Sequence, residues 1–360
     1  MNADTSQLPA APAASAGDLG IDVEKHSIVM VNASVEYTKG KRVLHGVTLT
    51  AKRGEVLGLI GGSGAGKSTC MRVMTGQVVP TEGHAITAGC DVIKQRSELV
   101  RRIGYVPQLD HLSLYQQFNA IENAVFFGRN YGIPPAVVRK KAVEVLHILG
   151  FETEALMKKP VRHLSGGERK RVSVAVGLVH DPDVLFLDEP TTGLDPHLRI
   201  AVLNFLHKIN VELGTTMVIV SHDLEIADYC SKVAIIDRGR LIASGHPREL
   251  VASLPSEGRM VTVQFSNLSH EDVGRVAGLP GVEHVLMAGR NRLKLAVTDY
   301  RNTRKLLRQL FELELPPVRF AIDRGTFLDF FRIKGRYEER EGEQEREREE
   351  ERRREVKRGV

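Results

Sequence analysis

Residues 61–69 read Gly61-Gly62-Ser63-Gly64-Ala65-Gly66-Lys67-Ser68-Thr69, which fits the phosphate-binding pattern G-x-x-x-x-G-K-[ST]. The apolar stretch Val56–Ile60 before the loop predicts a buried strand, and a helix is predicted from Cys70 onwards. Glycines let the backbone wrap around an anion, and the N–H groups of a helix start supply donors. We expect Lys67 to reach the β- and γ-phosphates and the Ser68 hydroxyl to bind Mg²⁺. A glycine-rich turn with an incidental lysine is the alternative, which the strand–loop–helix context disfavours. The sequence therefore predicts a site for a nucleoside triphosphate.

The composition is that of an ordinary soluble protein with room for two domains: 360 residues, 42% hydrophobic and 26% charged. The longest apolar runs, such as residues 184–187, are too short to span a bilayer, and residues 1–4 do not resemble a secretory signal. The cysteines Cys70, Cys90 and Cys230 lack metal-ligand spacing and are typical of a reducing cytosol. A net charge of +5 is too mild to predict nucleic-acid binding, although it is compatible with an anionic membrane surface.

Four segments differ in their sequence pattern. Residues 1–26 are rich in Ala, Pro and Ser and predict a disordered lead-in. Residues 27–254 alternate between strand and helix patterns, which predicts an α/β domain with a largely parallel sheet. In residues 259–335 the predicted order is β-α-β-β-α-β, the ferredoxin-like arrangement of a small α+β domain. Residues 336–360 are mostly Glu and Arg, which favours a solvated helix over a partner-binding tail.

Two acids end an apolar strand pattern in residues 183–190, Asp-Val-Leu-Phe-Leu-Asp-Glu-Pro. Ligands of parallel α/β sheets collect at the carboxyl ends of the strands. We expect Asp188 to hold Mg²⁺ and Glu189 to act as the general base that polarises a water molecule. A solvated acidic turn at the end of a strand is the alternative.

A second glycine motif, Ser165-Gly166-Gly167-Glu168, lies between the phosphate loop and these acids. Ser165 and Glu168 have the spacing of a capping box that opens a helix. The paired glycines leave the first N–H groups of that helix uncovered, which favours an anion site over a cap alone.

These motifs, in this order, resemble the nucleotide-binding subunit of an ATP-binding cassette (ABC) transporter, and the likeness covers most of residues 27–254. The resemblance implies a P-loop NTPase ABC cassette with a mainly parallel sheet and antiparallel β and helical subdomains, ATP and Mg²⁺ as cofactors, and Glu189 as a catalytic residue. Tyr37 is expected to stack on adenine. The alternative is that Tyr37 is a strand residue whose ring simply packs against its neighbours. The resemblance also implies roles for Gln108 in sensing Mg²⁺ and in coupling to the membrane partner, for Asp195 in a loop that crosses the dimer interface, and for His222 in contacting the γ-phosphate.

The same resemblance implies a head-to-tail homodimer in which ATP lies between the phosphate loop of one copy and Ser165, Gly166 and Gly167 of the other. Residues 118–123 and 131–134 resemble the ABC-2 type exporter subfamily, and residues 259–334, with their closing run 326–331, resemble the small accessory domain that follows those cassettes. A separate membrane-spanning permease, docked at about residues 109–150 on the cytoplasmic face, is therefore expected, and nucleic acid is not. A soluble ABC ATPase acting on ribosomes or DNA, and a binding module that uses ATP only as a switch, are the alternatives.

Overall fold

The computed structural model describes residues 22–38, 40–108 and 114–335. The chain divides into two compact units, Met1–Ser244 and Gly245–Val360. Residues 1–21 of the predicted lead-in and the predicted tail, residues 336–360, lie outside the described residues. The last residues of that lead-in are structured, since Val23–Lys25 form a 3-10 turn and the first strand begins at His26. Within the described ranges, none of the helices has both the length and the apolar character needed to cross a bilayer.

The strands of the first unit form two sheets. The last of these strands ends at Gly245, the first residue of the second unit. The strands are β1 His26–Thr38, β2 Lys41–Lys52, β3 Val56–Ile60, β4 Glu82–Thr87, β5 Cys90–Asp91, β6 Ile103–Val106, β7 Val184–Asp188, β8 Thr216–Ser221, β9 Lys232–Asp237 and β10 Arg240–Gly245. The antiparallel sheet has the order β2-β1-β4-β5. In the other sheet, β10-β9-β3-β8-β7-β6, the strands from β9 to β6 are parallel. The predicted mainly parallel sheet with an antiparallel β subdomain is confirmed.

Helices cover the parallel sheet and build a separate helical region. They are α1 Lys67–Met74, α2 Arg96–Arg102, α3 Ala120–Arg129, α4 Pro135–Ile148, α5 Glu154–Met157, α6 Gly166–Leu178 and α7 Pro196–Leu213. Ala124 of α3 and Val138 of α4 pack in one buried cluster with Val179, the residue that follows the last residue of α6. The region predicted to dock the permease therefore contains two packed helices, although residues 109–113 lie outside the described part.

The parallel strands bring the predicted motifs to one edge of the sheet. Strand β3 lies between β8 and β9, and all five of its residues are buried, as expected for a strand covered on both faces. The phosphate loop follows the carboxyl end of β3. Strand β7, which ends at Asp188, pairs with β8, and β8 ends at Ser221 beside His222. Motifs separated by more than 100 residues therefore meet because their strands are parallel neighbours.

The second unit begins with α8 and has one antiparallel sheet of order β12-β13-β11-β14. Its elements are α8 Pro247–Ala252, β11 Arg259–Phe265, α9 His270–Ala277, β12 Val282–Met287, β13 Arg292–Val297, α10 Thr303–Glu312, β14 Pro317–Arg324 and helix α11 at residues 327–335. The elements from β11 to β14 follow the order β-α-β-β-α-β. Val261 and Val263 of β11 pack with Leu293 of β13 and Leu310 of α10 in a buried core.

A buried carboxylate, Asp329, joins α11 to the sheet. Its Oδ2 atom accepts hydrogen bonds from the N–H and hydroxyl of Thr326 at 2.9 and 2.8 Å and from the Lys294 ammonium at 2.7 Å. Burial by itself raises the pKa of Asp329, but the Lys294 ion pair and the Thr326 hydrogen bonds together hold that pKa below its ordinary value. Asp329 thus takes part in the cap of the helix and pairs with Lys294 of β13.

Replacing Asp329 by alanine is expected to lower the free energy of unfolding of the second unit by about 1.5–3 kcal/mol, the range for hydrogen bonds to a charged group. Because the folded pKa lies below the ordinary value of 3.8, the stabilisation is present above that pH and is lost as the pH falls through the folded pKa. Urea unfolding of the full chain at pH 7 and in steps down to pH 3 measures both effects. The exposed Asp323→Ala variant is the control, and equal stability of the two variants at pH 7 would contradict the assigned role.

Candidate nucleotide site

The phosphate loop has the geometry that its glycines predict. Gly64 and Gly66 adopt left-handed φ values of 76° and 106°, and Gly66 precedes the first residue of α1. A Cβ atom on Gly61 would lie 2.1 Å from the carbonyl oxygen of Ile236, so the backbone of β9 approaches too closely for any side chain there. The loop is also anchored by a hydrogen bond of 2.8 Å from the N–H of Gly239 to the carbonyl of Ala65.

Lys67 folds back over the loop that precedes it. Its ammonium donates to the carbonyl oxygens of Gly61 and Gly62, each at 2.8 Å, and the residue is only 7% exposed. Burial lowers the pKa of Lys67, and the nearby carboxylates of Glu189 and Asp188 partly offset that change. The structure therefore places a buried cation at the centre of the loop, next to the two predicted acids.

Tyr37 lies close to the end of the loop, where Ser68 and Thr69 complete the predicted ATP-binding set. The Tyr37 hydroxyl, at the end of β1, lies 3.3 Å from the Thr69 hydroxyl, and Tyr37 is 49% exposed. A core tyrosine would be buried, so the packed alternative does not describe this ring. The exposed Ser68 follows Lys67 at the start of α1, while Thr69 is buried.

Asp188 ends β7 and is hydrogen-bonded by a neighbour that the sequence analysis passed over. The Tyr105 hydroxyl on β6 donates to Oδ2 of Asp188 at 3.3 Å. Burial, together with the Asp188 carboxylate, raises the pKa of Tyr105 to about 12, so the phenol remains a donor at neutral pH. Burial also raises the pKa of Asp188, and the hydrogen bond from Tyr105 opposes that rise.

Glu189 and His222 are in direct contact. The Nδ1 and backbone N–H groups of His222 donate to Oε1 of Glu189 at 2.9 and 3.1 Å. The hydroxyls of Thr192 and Ser221 donate to the other oxygen, Oε2, at 3.0 and 3.3 Å. The Glu189 side chain is 12% exposed whereas that of His222 is 59% exposed. The predicted base is thus held in one orientation by donors from two neighbouring strand ends.

The backbone of Glu189 is strained. Its φ of 47° lies in the left-handed region, which costs a residue with a side chain on the order of 1–3 kcal/mol. The N–H of Glu189 donates to the carbonyl of Val220 at 2.9 Å, which holds the residue against β8. A strained conformation of this kind persists where many surrounding contacts hold it in place. Here the conformation directs the Glu189 carboxylate towards His222.

The helix α6 begins with the predicted capping box. The Ser165 hydroxyl accepts from the N–H of Glu168 at 3.2 Å, and the Glu168 carboxylate accepts from the N–H of Ser165 at 2.7 Å. Gly167 is buried, and a Cβ atom there would lie 3.0 Å from the Leu198 side chain. The second glycine therefore has a packing role as well, which the sequence analysis did not consider, while Gly166 is partly exposed.

Asp195 is the N-cap of α7, where its Oδ1 atom accepts from the N–H groups of His197 and Leu198 at 3.1 and 3.0 Å. Because Gly167 packs against Leu198, the starts of α6 and α7 lie side by side. The predicted residues thus form two groups: the phosphate loop with the acids and His222, and the paired helix starts with Ser165, Gly166, Gly167 and Asp195.

Gln108 is exposed and follows β6 and Pro107. The carbonyl oxygens of Pro107 and Gln108 accept hydrogen bonds from the Lys170 ammonium at 3.2 and 3.1 Å. Lys170 lies on α6 and is 2% exposed. The loop that carries Gln108 is therefore attached to the helix that begins at the second glycine motif.

Four residues that hold the predicted ones were not expected from the sequence: Tyr105, Lys170, Thr192 and Ser221. Two of them are close to predicted residues in the sequence, since Tyr105 lies three residues before Gln108 and Ser221 directly precedes His222. Their position at strand ends, where ligands of parallel sheets collect, was the available signal.

Comparison with known proteins places this geometry in a family. A family model described as ABC transporter matches residues 44–192, a range that includes the phosphate loop, the second glycine motif and the two acids. Nod factor export ATP-binding protein I of Ralstonia nicotianae is 39% identical over 210 residues, which are 58% of this chain and 64% of that protein. The chain thus spans less than two thirds of the length of this relative.

Linearmycin resistance ATP-binding protein LnrL of Bacillus subtilis is 35% identical over 215 residues, 59% of this chain and 68% of that protein. Among solved structures, the ATP-binding cassette MJ0796, described as a dimeric post-hydrolysis state bound to ADP and Pi, has a TM-score of 0.51 and 27% identity. That match covers 61% of this chain and 98% of the cassette. The motifs, the parallel sheet that assembles them and these relatives agree, and the chain belongs to the ABC transporter family of ATP-binding proteins.

Proposed function

We propose that this chain is the ATP-hydrolysing subunit that powers export through a separate membrane-spanning permease of the ABC-2 type. One observation carries the proposal: a buried lysine, two acids and a histidine from three parallel strands meet at the edge of the sheet where ligands bind. The names of two relatives, which refer to Nod factor export and to linearmycin resistance, support a transport role.

The residues at this edge fit Mg²⁺·ATP. The exposed loop residues 62–64, whose N–H groups are donors, and the Lys67 ammonium suit a polyphosphate, and the Tyr37 ring is exposed enough to stack on a base. The Ser68 hydroxyl, the Asp188 carboxylate and the Gln108 amide are oxygen donors of the kind that Mg²⁺ prefers. Bound there, Mg²⁺ would supply positive charge to the β- and γ-phosphates. In the described ranges, no group of three His, Cys, Asp or Glu residues offers another metal site.

Glu189 is the proposed general base. Its carboxylate accepts a proton from a water molecule whose oxygen attacks the γ-phosphorus, the bond to the β-phosphate oxygen breaks, and ADP and phosphate result. Lys67 stabilises the charge on the transferred group, and His222, hydrogen-bonded to Glu189, keeps the base oriented and offers a polar group to the γ-phosphate. The strained backbone of Glu189 supports this assignment.

A homodimer would complete the site. Ser165 and Gly166 lie at the start of α6, and Asp195 lies at the start of α7. Both starts are far from the phosphate loop in sequence, and a helix N-terminus favours anions. In a head-to-tail dimer Ser165, Gly166 and Gly167 would contact the γ-phosphate bound by the partner, and the loop with Asp195 would cross the interface, so that ATP closes the dimer and hydrolysis opens it. The dimeric description of MJ0796 supports this arrangement.

A groove in the first unit is the proposed docking site for the permease. Its volume is about 660 Å³ and its walls include Arg96 and Val100 of α2, together with Tyr115, Phe127 and Tyr131. The rings of Tyr115 and Phe127 are neighbours, with centroids 6.0 Å apart, and Val100 and Tyr115 are 48% and 44% exposed. Such walls fit a short helix of the permease with an apolar face and an acidic residue opposite Arg96.

The second unit is proposed to be a ferredoxin-like accessory domain that stabilises or regulates the cassette dimer. Its β-α-β-β-α-β order and its strand order β12-β13-β11-β14 support the fold assignment. The complete assembly would lie on the cytoplasmic face of the cell membrane, held there by the permease.

A Val100→Glu variant tests the docking proposal. We expect it to bind the permease about 100-fold less tightly, because the new carboxylate competes for Arg96 and repels the acidic permease residue proposed opposite it, and like charges brought together in an interface cost about 3 kcal/mol. The measurement is co-purification of the full chain with a candidate permease of the ABC-2 type, together with the share of the chain in the membrane fraction. ATP turnover of the isolated chain should not change.

Val137→Glu is the matched control, since Val137 is 56% exposed on α4 and is not among the residues of the groove. The permease proposal fails if the wild-type chain stays out of the membrane fraction and sediments with ribosomes, which is the outcome expected of a soluble ABC ATPase. The groove assignment alone fails if both variants bind the membrane protein as the wild type does.

A further inference from the structure

Tyr105 belongs both to the groove and to the nucleotide site. It lies on β6, opposite Phe186 of the neighbouring β7, and its ring is one wall of the groove that also contains Tyr131. The hydroxyl of the same residue donates to Oδ2 of Asp188 at 3.3 Å. One side chain therefore connects the surface proposed to receive the permease with a proposed magnesium ligand.

We propose that Tyr105 is a positioning residue that transmits occupancy of the groove to Asp188. The inference rests on the proposed function of both sites. By holding Oδ2 of Asp188, the phenol fixes the orientation of the carboxylate that would hold Mg²⁺. Groups that hydrogen-bond a metal ligand orient that ligand and change the affinity of the site, without touching the metal themselves.

The geometry leaves room for the contact to strengthen. A hydrogen bond between two oxygen atoms usually measures about 2.7–2.8 Å, so a shift of the phenol by about 0.5 Å would bring it to ordinary length. Tyr105 is 38% exposed, and an apolar helix in the groove would remove water from around it. A hydrogen bond in a drier environment is electrostatically stronger, so a docked permease would orient Asp188 more firmly.

Tyr105→Phe removes only the hydroxyl and keeps the ring as a groove wall. Tyr131→Phe is the matched control, because its ring also lines the groove but stacks on His180, with centroids 3.9 Å apart. Both variants are made in the Glu189→Gln background so that ATP is not consumed. Electron paramagnetic resonance then measures Mn²⁺ affinity in the presence of ATP, for the full chain alone and in its complex with the permease.

We expect Tyr105→Phe to lower Mn²⁺ affinity about 10-fold, the lower bound for loss of a group that orients a metal ligand, and Tyr131→Phe to leave it unchanged. The permease should tighten Mn²⁺ binding in the parent protein and in Tyr131→Phe but not in Tyr105→Phe. Equal Mn²⁺ affinity of Tyr105→Phe and the parent, equal losses in both tyrosine variants, or tightening by the permease in Tyr105→Phe would each overturn the inference. A parent chain that binds neither ATP nor Mn²⁺ would instead refute the proposed function.

Discussion

Replacing Glu189 by glutamine is expected to reduce ATP turnover about 10³-fold, in the middle of the range for loss of a general base, while ATP binding remains. The glutamine can keep the local hydrogen bonds. Its carbonyl oxygen can accept from His222 as Oε1 of the glutamate does, and its NH₂ group can donate to the hydroxyls of Thr192 and Ser221, which can rotate. The variant should therefore fold normally and lose only the ability to take a proton from water.

Phosphate release under single-turnover conditions measures the loss, and equilibrium titration with ATP measures binding. Size-exclusion chromatography with ATP should show the variant as a persistent dimer, because the nucleotide is not hydrolysed. Glu212→Gln on α7 is a control with the same change of charge in a surface pair, 3.7 Å from Lys208. Hydrolysis at the wild-type rate by Glu189→Gln would refute the assignment of the base.

The Lys67→Ala variant is expected to fail at an earlier step. Loss of a charge-assisted hydrogen bond is worth about 1.5–3 kcal/mol, which corresponds to an increase in the Kd for ATP of about 10- to 150-fold. The ammonium also donates to the carbonyls of Gly61 and Gly62, so part of the effect comes from a less ordered loop. Isothermal titration with ATP gives the Kd, and the thermal midpoint reports the structural part.

Lys208→Ala provides the comparison, since it removes an exposed lysine of the same unit. The two site variants should differ in kind: Lys67→Ala loses affinity, whereas Glu189→Gln keeps affinity and loses turnover. An unchanged Kd for ATP in Lys67→Ala would show that the buried ammonium serves the loop and not the nucleotide.

Parts of the molecule that depend on neighbours in the sequence were predictable. The phosphate loop required glycines at left-handed positions, and Gly64 and Gly66 occupy them. Ser165 and Glu168 stand at capping-box spacing and form both hydrogen bonds. The five apolar residues before the phosphate loop form the buried strand β3. Each of these features follows from backbone sterics or from spacing along one element, which the amino-acid order itself specifies.

Other contacts depended on which strands became neighbours. Glu189 and His222 are 33 residues apart and meet only because β7 and β8 pair in parallel. The hydrogen bond from Tyr105 to Asp188 spans 83 residues and requires β6 beside β7. The packing of Gly167 against Leu198 requires α6 and α7 to start side by side. A pattern of apolar and polar residues predicts a strand, but it does not state the order of strands in a sheet.

The sequence by itself determined that this chain has a phosphate loop, a capped glycine motif and a strand ending in two acids, because each depends on residues a few positions apart. Only the tertiary structure decided which side chains hold Glu189 and Asp188 in place. It also decided that Tyr105 both lines the groove and contacts Asp188. The physical reason is that hydrogen bonds act over about 3 Å in space, whatever the distance along the chain.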